Sequence, residues 1–543
     1  MRSHWALWST LFTMIGCTYR SEKADLVIHN AVIHTMDAGN DLFQAMAIRD
    51  GRILELGPEH QILNKYKGRS YYDAAGSHVY PGFIDAHCHF YGYGLNAQKV
   101  DLVGTSDWDE VLERTQHFAH AHPEKTWIIG RGWDQNDWPE VTDPDRTELD
   151  RLFPDRPVLL QRVDGHAAVV NQAAMDRVGL AAGDHVEGGL LVERDDQLTG
   201  LLLDNAVAIF ETIMEEADET TKRTALLHAQ QAVFQAGLTS VCDAGLDIGT
   251  IELIRSMQGT GELKVRVHAM VSESPEALAH YAQVGMVNEE RLTVRCIKVY
   301  ADGALGSRGA LLKEPYHDKP EHFGLQLRSR EHLSEVAEWC IDHGFQMATH
   351  CIGDSANKLM LDIYGTRLKG SNDRRWRIEH AQVVDPADRD QFAAWGVIPS
   401  VQPTHATSDA PWAEARLGAD RMNGAYAYRS LMEQLGLLAL GTDFPVEAID
   451  PLGTFRSAVF RQDAHGDPVD GFRLEEALTR EEALRGMTIW NAISLFREAD
   501  LGSLEPGKLA DLVILDHDLL NVGPDQIGSV EVQATFVNGE KVY

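Results

Sequence analysis

Eight short apolar runs, most of them β-branched, recur through the middle of this chain with helical patterns between most of them. They are residues 81–89 (PGFIDAHCH), 237–245, 264–271, 293–303, 344–353, 375–382, 396–405 and 437–445. Residues 224–236 and 331–343 are among the helical segments. Eight strands alternating with helices predict an α/β chain folded as a (β/α)8 TIM barrel, although a doubly wound open sheet shares the pattern. The spacing breaks once. Roughly 150 residues separate the first run from the second, where a strand–helix unit needs about 30. That gap holds GRGWDQNDWPE (130–140), RVDGHAAVVN (162–171) and GGLLVERDDQLTGLLLDNA (188–206), and it predicts an insertion over the barrel mouth at about 101–206.

The two ends of the chain read differently. Residues 24–37 and 45–57 are short strands with Asp50-Gly51 as a hairpin turn, and residues 509–516 and 532–543 repeat the pattern around Asn538-Gly539. Neither piece has enough strands to cover a core alone. One small β domain completed by both termini is expected, from 18–80 and 502–543, with the barrel at 81–501 inserted between them.

Ahead of that domain, residues 1–17 (MRSHWALWSTLFTMIGC) place Arg2 before an apolar core from Trp5 to Ile15. This is a signal-peptide layout, too short for an ordinary membrane span. MIGC resembles a bacterial lipoprotein cleavage box, with Cys17 as the lipidated residue. That resemblance implies an anchored envelope protein; a cleaved secretory form and a cytoplasmic protein are the alternatives. The formal net charge of -33 argues against nucleic-acid or anionic-membrane binding. Cys88, Cys242, Cys296, Cys340 and Cys351 are odd in number and form no disulfide framework.

In a parallel barrel the chemistry lies at the C-terminal ends of the strands. Metal-capable residues sit there repeatedly: His87 and His89 in the first run, Lys298 in the fourth, His350 in the fifth, His380 in the sixth and Asp443 in the eighth. Any one of these could be an ordinary packed residue. Six at matching depth predict a cation site. His87 and His89 share a strand face, whereas Cys88 points away.

PGFIDAHCH, the strand lysine, the two single histidines and GTDFP together resemble the amidohydrolase superfamily, and the amidohydrolase 3 family within it. GRGWDQN, RVDGHAAVVN, KVYADGALGSRGA, SVQPTH and LEPGKLADLVILD extend the likeness over nearly all of residues 24–543. The resemblance implies a metal-dependent hydrolase on a (β/α)8 barrel beside a small β-sandwich. It implies one divalent metal on His87, His89 and Asp443, a second on His350 and His380, and Lys298 bridging them as a CO2-derived carboxylate. The competing reading of Lys298 is an ordinary lysine paired with Asp302 or Asp443. Zn²⁺ suits these donors, in one or two ions, as do Mn²⁺, Fe²⁺ and Co²⁺. Hydroxide formed on the metal would attack a carbon–nitrogen bond, of an N-acyl or N-formyl amine for example, with Asp443 as general base. A deaminase, a lactone or carbamate hydrolase, and a non-catalytic binding protein are the alternatives. Arg308, Trp133, His166 and Gln402 are the expected substrate-binding residues, with an Arg308–Asp302 pair as the rival reading. The expected partner is a small molecule, and the resemblance also implies a homodimer.

Overall fold

The computed structural model describes residues 21–211, 218–370 and 372–543. The expected leader at 1–17, with Cys17, lies outside them. No helix among the described residues is long and apolar enough to cross a membrane.

The eight runs form the barrel strands β1 (Phe83–Cys88), β2 (Leu238–Leu246), β3 (Arg266–Ser272), β4 (Leu292–Tyr300), β5 (Gln346–Cys351), β6 (Arg377–His380), β7 (Ile398–Val401) and β8 (Ala439–Leu440). They lie side by side in chain order, and every neighbouring pair from β1 to β8 is parallel. The outer helices are built as the pattern requires. Arg330–His343, for example, is capped by Ser329, whose side chain accepts from the His332 amide, and stops at the left-handed Gly344. It buries Leu333, Val336, Ala337 and Cys340, the i, i+3, i+4, i+7 stripe of a helix lying on a sheet.

Between β8 and β1 the barrel is sealed largely by side chains. The Asn491 amide donates to Ile84 O (2.6 Å) and Leu440 O (2.8 Å), and its oxygen accepts from Leu440 N (3.1 Å). Higher up, the Asp85 carboxylate takes the Thr442 amide and hydroxyl, and Asp443 N donates to His87 O at 2.8 Å. Gly441 makes the close approach possible, since a Cβ there would sit 2.6 Å from His87 N.

The terminal strands form two facing sheets. One is N-terminal only, in the order Arg52–Gly57, Ala45–Arg49, Glu22–His29, Tyr66–Asp73. The other interleaves both ends: Glu540–Lys541, Val532–Val537, Leu512–Leu515, His78–Pro81, Val32–His34, Leu42–Phe43. The expected single strand at 24–37 is split, because Asn30 takes a positive φ of 52° and passes the chain from one sheet to the other. Ile28 and Ile48 pack against Val79, Ile514 and Phe536 between the sheets. The fold is therefore a TIM barrel with a β domain drawn from both termini.

The insertion is a third sheet, ordered Gly189–Arg194, Gln197–Asp204, Ala167–Val170, Val158–Arg162, Ile128–Trp133, Val100–Asp101. Successive residues alternate between two apolar clusters, Leu160 and Val169 on one face, Leu159 and Val170 on the other. A sheet buried on both faces explains why these strands read as unbroken apolar runs.

Candidate active site

All six strand-end residues named from the sequence line one cavity of about 1640 Å³ at the top of the barrel, and the insertion contributes Arg131, Asp134 and His166 to its wall. His87, His380 and Asp443 are buried, and one donor atom of each lies within 4.8 Å of the others. Asp443 Oδ1 is 3.3 Å from His89 Nε2 and 3.6 Å from His87 Nε2. Lys298, on β4, brings its Nζ to 3.3 Å from His87 Nε2. His350, on β5, stacks edge-on against His380 with ring centroids 4.6 Å apart. Asp443 and His380 both adopt positive φ, 63° and 72°, just past or at their strand ends, where the sharp turn aims them inward.

The imidazoles are held in defined tautomers by what lies behind them. His87 Nδ1 bonds Glu379 Oε2 at 2.5 Å, so its Nε2 lone pair faces the cavity. Glu379 is itself clamped by the fully buried Arg377, through Nε at 2.7 Å and Nη2 at 2.9 Å, and Arg377 also reaches Ala86 O and Ser400 Oγ. His380 Nδ1 bonds Gln402 Oε1 at 2.7 Å. Burial first, then the Lys298 charge, pushes His87 well below the usual histidine range. Burial with His380 does the same to His350, and burial with His87 to His380. Neutral rings keep their ligating lone pairs. Burial favours a protonated Asp443, yet His89 at 3.3 Å and the His87 and His405 rings hold it well below the carboxylate range. Burial also lowers Lys298, against the pull of Glu379 and Asp443.

Among the described residues, His350 Nε2, His405 Nε2 and Asp443 Oδ1 are buried polar atoms that make no hydrogen bond. A divalent cation fits this set, since cavity-lining imidazole nitrogens and a carboxylate oxygen without hydrogen bonds are what Zn²⁺ and similar ions take up.

Of the four residues expected to bind substrate, only His166 is at the cavity, its Nδ1 bonded to Asp204 Oδ1 at 2.8 Å. Trp133 is fully buried inside the insertion, donating to Leu160 O at 2.8 Å. A register irregularity between Arg131 and Trp133 separates it from the cavity-lining Arg131 and Gly132, and it packs with Trp138, Leu149 and Leu160 in the sheet's core. Arg308 turns outward to a bidentate pair with Asp318, at 3.1 and 2.9 Å, rather than to substrate or to Asp302. Gln402 lies behind His380 and positions it. Glu379, Arg377 and His405 were not singled out from the sequence. RIE does carry a signal, since two opposite charges at i and i+2 in an apolar strand imply a buried pair. His405 sits within SVQPTH and places Nε2 3.3 Å from Asp443 Oδ2.

Residues 71–543 match the model of the Amidohydrolase family. The chain is 33% identical to Protein LONG AFTER FAR-RED 3 of Arabidopsis thaliana, over 99% of this chain and 94% of that one. It is 28% identical to N-substituted formamide deformylase of Arthrobacter pascens, over 96% and 98% respectively. Among solved structures, an uncharacterized metal-dependent hydrolase from Pyrococcus horikoshii superposes with a TM-score of 0.75 at 28% identity, covering 92% of this chain and 99% of that chain.

Proposed function

The chain belongs to the amidohydrolase family, and from that premise we propose that it hydrolyses a carbon–nitrogen bond in a small molecule, with an N-acyl or N-formyl amine as the substrate class. The observation that carries the reading is the buried His87, His380 and Asp443 triad at the floor of the cavity.

His87, His89 and Asp443 would hold one divalent ion and His350 and His380 a second, with Zn²⁺ the ion that best suits the donors. Lys298 would join the two after its neutral amine adds to CO2, forming an N–C bond and releasing a proton. Its burial favours the neutral amine that this requires. A bound cation supplies Lewis acidity, which lowers the pKa of water and polarises a carbonyl. The chain supplies the rest. Asp443 takes the proton from the attacking water and passes it to the leaving nitrogen, and His405 at 3.3 Å steadies its second oxygen. His166, fixed through Nδ1 by Asp204, can meet the substrate carbonyl from above.

The wall bearing Asp134, Asp137, Asp409 and Glu447 suits a substrate whose leaving half carries a further, protonated amino group besides the neutral amide nitrogen. All four line the cavity. None forms an ion pair among the described residues, so a cationic group would find its countercharge there. The likeness to N-substituted formamide deformylase points the same way.

The test is turnover of a panel of N-acyl and N-formyl amines, cyclic amides and aminopurines, by metal-reconstituted and by chelator-treated protein. Release of a carboxylate and an amine, abolished by chelation and restored by Zn²⁺ or Mn²⁺, is expected. Free ammonia from the aminopurines would make it a deaminase, and turnover that survives exhaustive chelation would remove the metal from the reading.

A further inference from the structure

A second cluster of metal-type donors lies in the terminal β domain, in neither the cavity nor the barrel. His34 ends the strand Val32–His34, His78 begins His78–Pro81, and Asp518 follows Leu512–Leu515. The three strands are neighbours in one sheet, with Val32 paired to His78 and His78 to Leu515. His34 Nε2 lies 3.1 Å from His78 Nδ1 and 3.7 Å from Asp518 Oδ1, and one donor atom of each residue falls within 4.8 Å of the others.

We propose that His34, His78 and Asp518 form a structural Zn²⁺ site that staples the two ends of the chain together. Ligands held ~2.0–2.1 Å from a tetrahedral ion stand ~3.4 Å apart, and the two observed separations bracket that spacing. Two imidazoles and one carboxylate suit Zn²⁺ and exclude the all-oxygen shells that Ca²⁺ and Mg²⁺ require. The donors are already oriented. The Tyr80 ring lies flat on His34, with centroids 4.4 Å apart and planes 7° from parallel. Tyr80 Oη donates to Asp518 Oδ1 at 2.8 Å, Leu520 N to the same oxygen at 2.9 Å, and Asn521 Nδ2 to Oδ2 at 2.6 Å. Outer bonds of this kind fix ligands in protein zinc sites. His34 is nearly fully buried, whereas Asp518 retains 18% of its side-chain surface, leaving the ion a path in and water a place in the fourth position.

The location says what the ion would do. His34 lies twelve residues beyond Glu22, where the first strand of the β domain starts, and His78 three residues before Pro81, which leads into β1. Asp518 lies in the connection between the C-terminal strands Leu512–Leu515 and Val532–Val537. An ion shared by all three would hold the last strands against the first and fix the entry into the barrel. Metal on folded but not unfolded protein adds stability by linkage.

The test uses the full-length protein, stripped with chelator, loaded with Zn²⁺ alone, desalted and analysed for metal per chain. His34→Gln/His78→Gln should carry one ion fewer than the parent and should show a smaller Zn²⁺-dependent rise in melting temperature. Because that variant could fail to fold, His87→Ala/His380→Ala is the second arm. With the barrel set dismantled it should still retain one ion, and Co²⁺ in its place should give the visible absorption of a tetrahedral site. Equal metal content in the parent and the His34/His78 variant, or no retained ion in the His87/His380 variant, would overturn the proposal. Loss of turnover in that second arm reports on the barrel alone, so the two readings fail separately.

Discussion

Asp443 is asked to do two things, hold a cation and move a proton, and substitution separates them. Asn keeps an oxygen donor of the same shape but cannot carry the proton. Asp443→Asn should retain most of its metal while kcat falls by about 10²–10⁴-fold, the range of general base catalysis. Metal loss equal to the activity loss, measured on the same sample, would leave Asp443 a ligand only. Asp409 gives a pH signature. Burial, with Glu447 and Asp134 nearby, raises its carboxyl to about 7, although His405 and the Tyr426 hydroxyl pull it down. Below that pH it is neutral, and above it the wall gains a charge. For an amine-bearing substrate kcat/KM should therefore rise through about pH 7, and a neutral isostere should not follow. Asp409→Asn should flatten the difference between the two profiles. The residues that sequence alone revealed and those it missed divide by what marks them. His87, His350 and Asp443 are marked by chemistry at strand ends. Glu379 acts only through a second side chain, His87, which lies far along the chain, and Gln402, expected to bind substrate, instead acts through His380. Trp133 was misplaced because its motif faces the mouth while an irregularity after Arg131 turns its own ring into the sheet's core.

At the scale of elements, the strand runs were legible because a parallel barrel buries both faces of each strand and so demands apolar sequence throughout. Each of the eight expected runs contains or overlaps one barrel strand. The closure was not legible. Between β8 and β1 the seal depends on Asn491, in the helix Ile489–Ser494, which lies roughly fifty residues beyond β8 and has no periodicity to betray it. Its amide satisfies Ile84 O and both polar groups of Leu440. Asn491→Ala leaves these three groups in a dry interior, and unsatisfied buried polar groups cost about 1–3 kcal/mol each when water cannot relax in. A loss on the order of 3 kcal/mol is expected. It should appear in denaturant unfolding and in faster amide exchange along β1 and β8, ahead of β3 and β4. Uniform acceleration over the whole barrel would show that Asn491 is not the seam's fastening. The insertion sheet was legible as a place but not as a structure, since the anomaly in spacing says only that something is added.

At the scale of the whole molecule, the question is what couples the β domain to the barrel, since the chain passes between them twice. The Asp50-Gly51 and Asn538-Gly539 turns, the two hairpin signals at opposite ends of the sequence, come into contact: a Cβ on Gly51 would lie 3.1 Å from Asn538 Cβ. Between them runs Ala510, whose amide donates to Gly51 O and whose carbonyl accepts from Gly539 N. The next residue reaches across to the barrel. Asp511 takes Arg266 Nε at 2.6 Å and Nη2 at 2.9 Å, and its Oδ1 also accepts from Asn538 N. Arg266 is the first residue of β3 and is fully buried. Such a pair need not add net stability over apolar residues, but breaking one half leaves the buried Arg266 charge with neutral acceptors only, Glu290 O at 2.8 Å and Asn538 Oδ1. Asp511→Ala should destabilise the protein by about 3–5 kcal/mol. The loss should be local first. Leu512–Leu515 and Val532–Val537 should exchange their amides faster, and Glu22–His29 should follow through the shared core, while β4 to β6 stay protected at low denaturant. Arg266→Met together with Asp511→Leu removes both charges and should recover much of the loss. If the double variant is no better than Asp511→Ala, packing and not the buried charge joins the two domains.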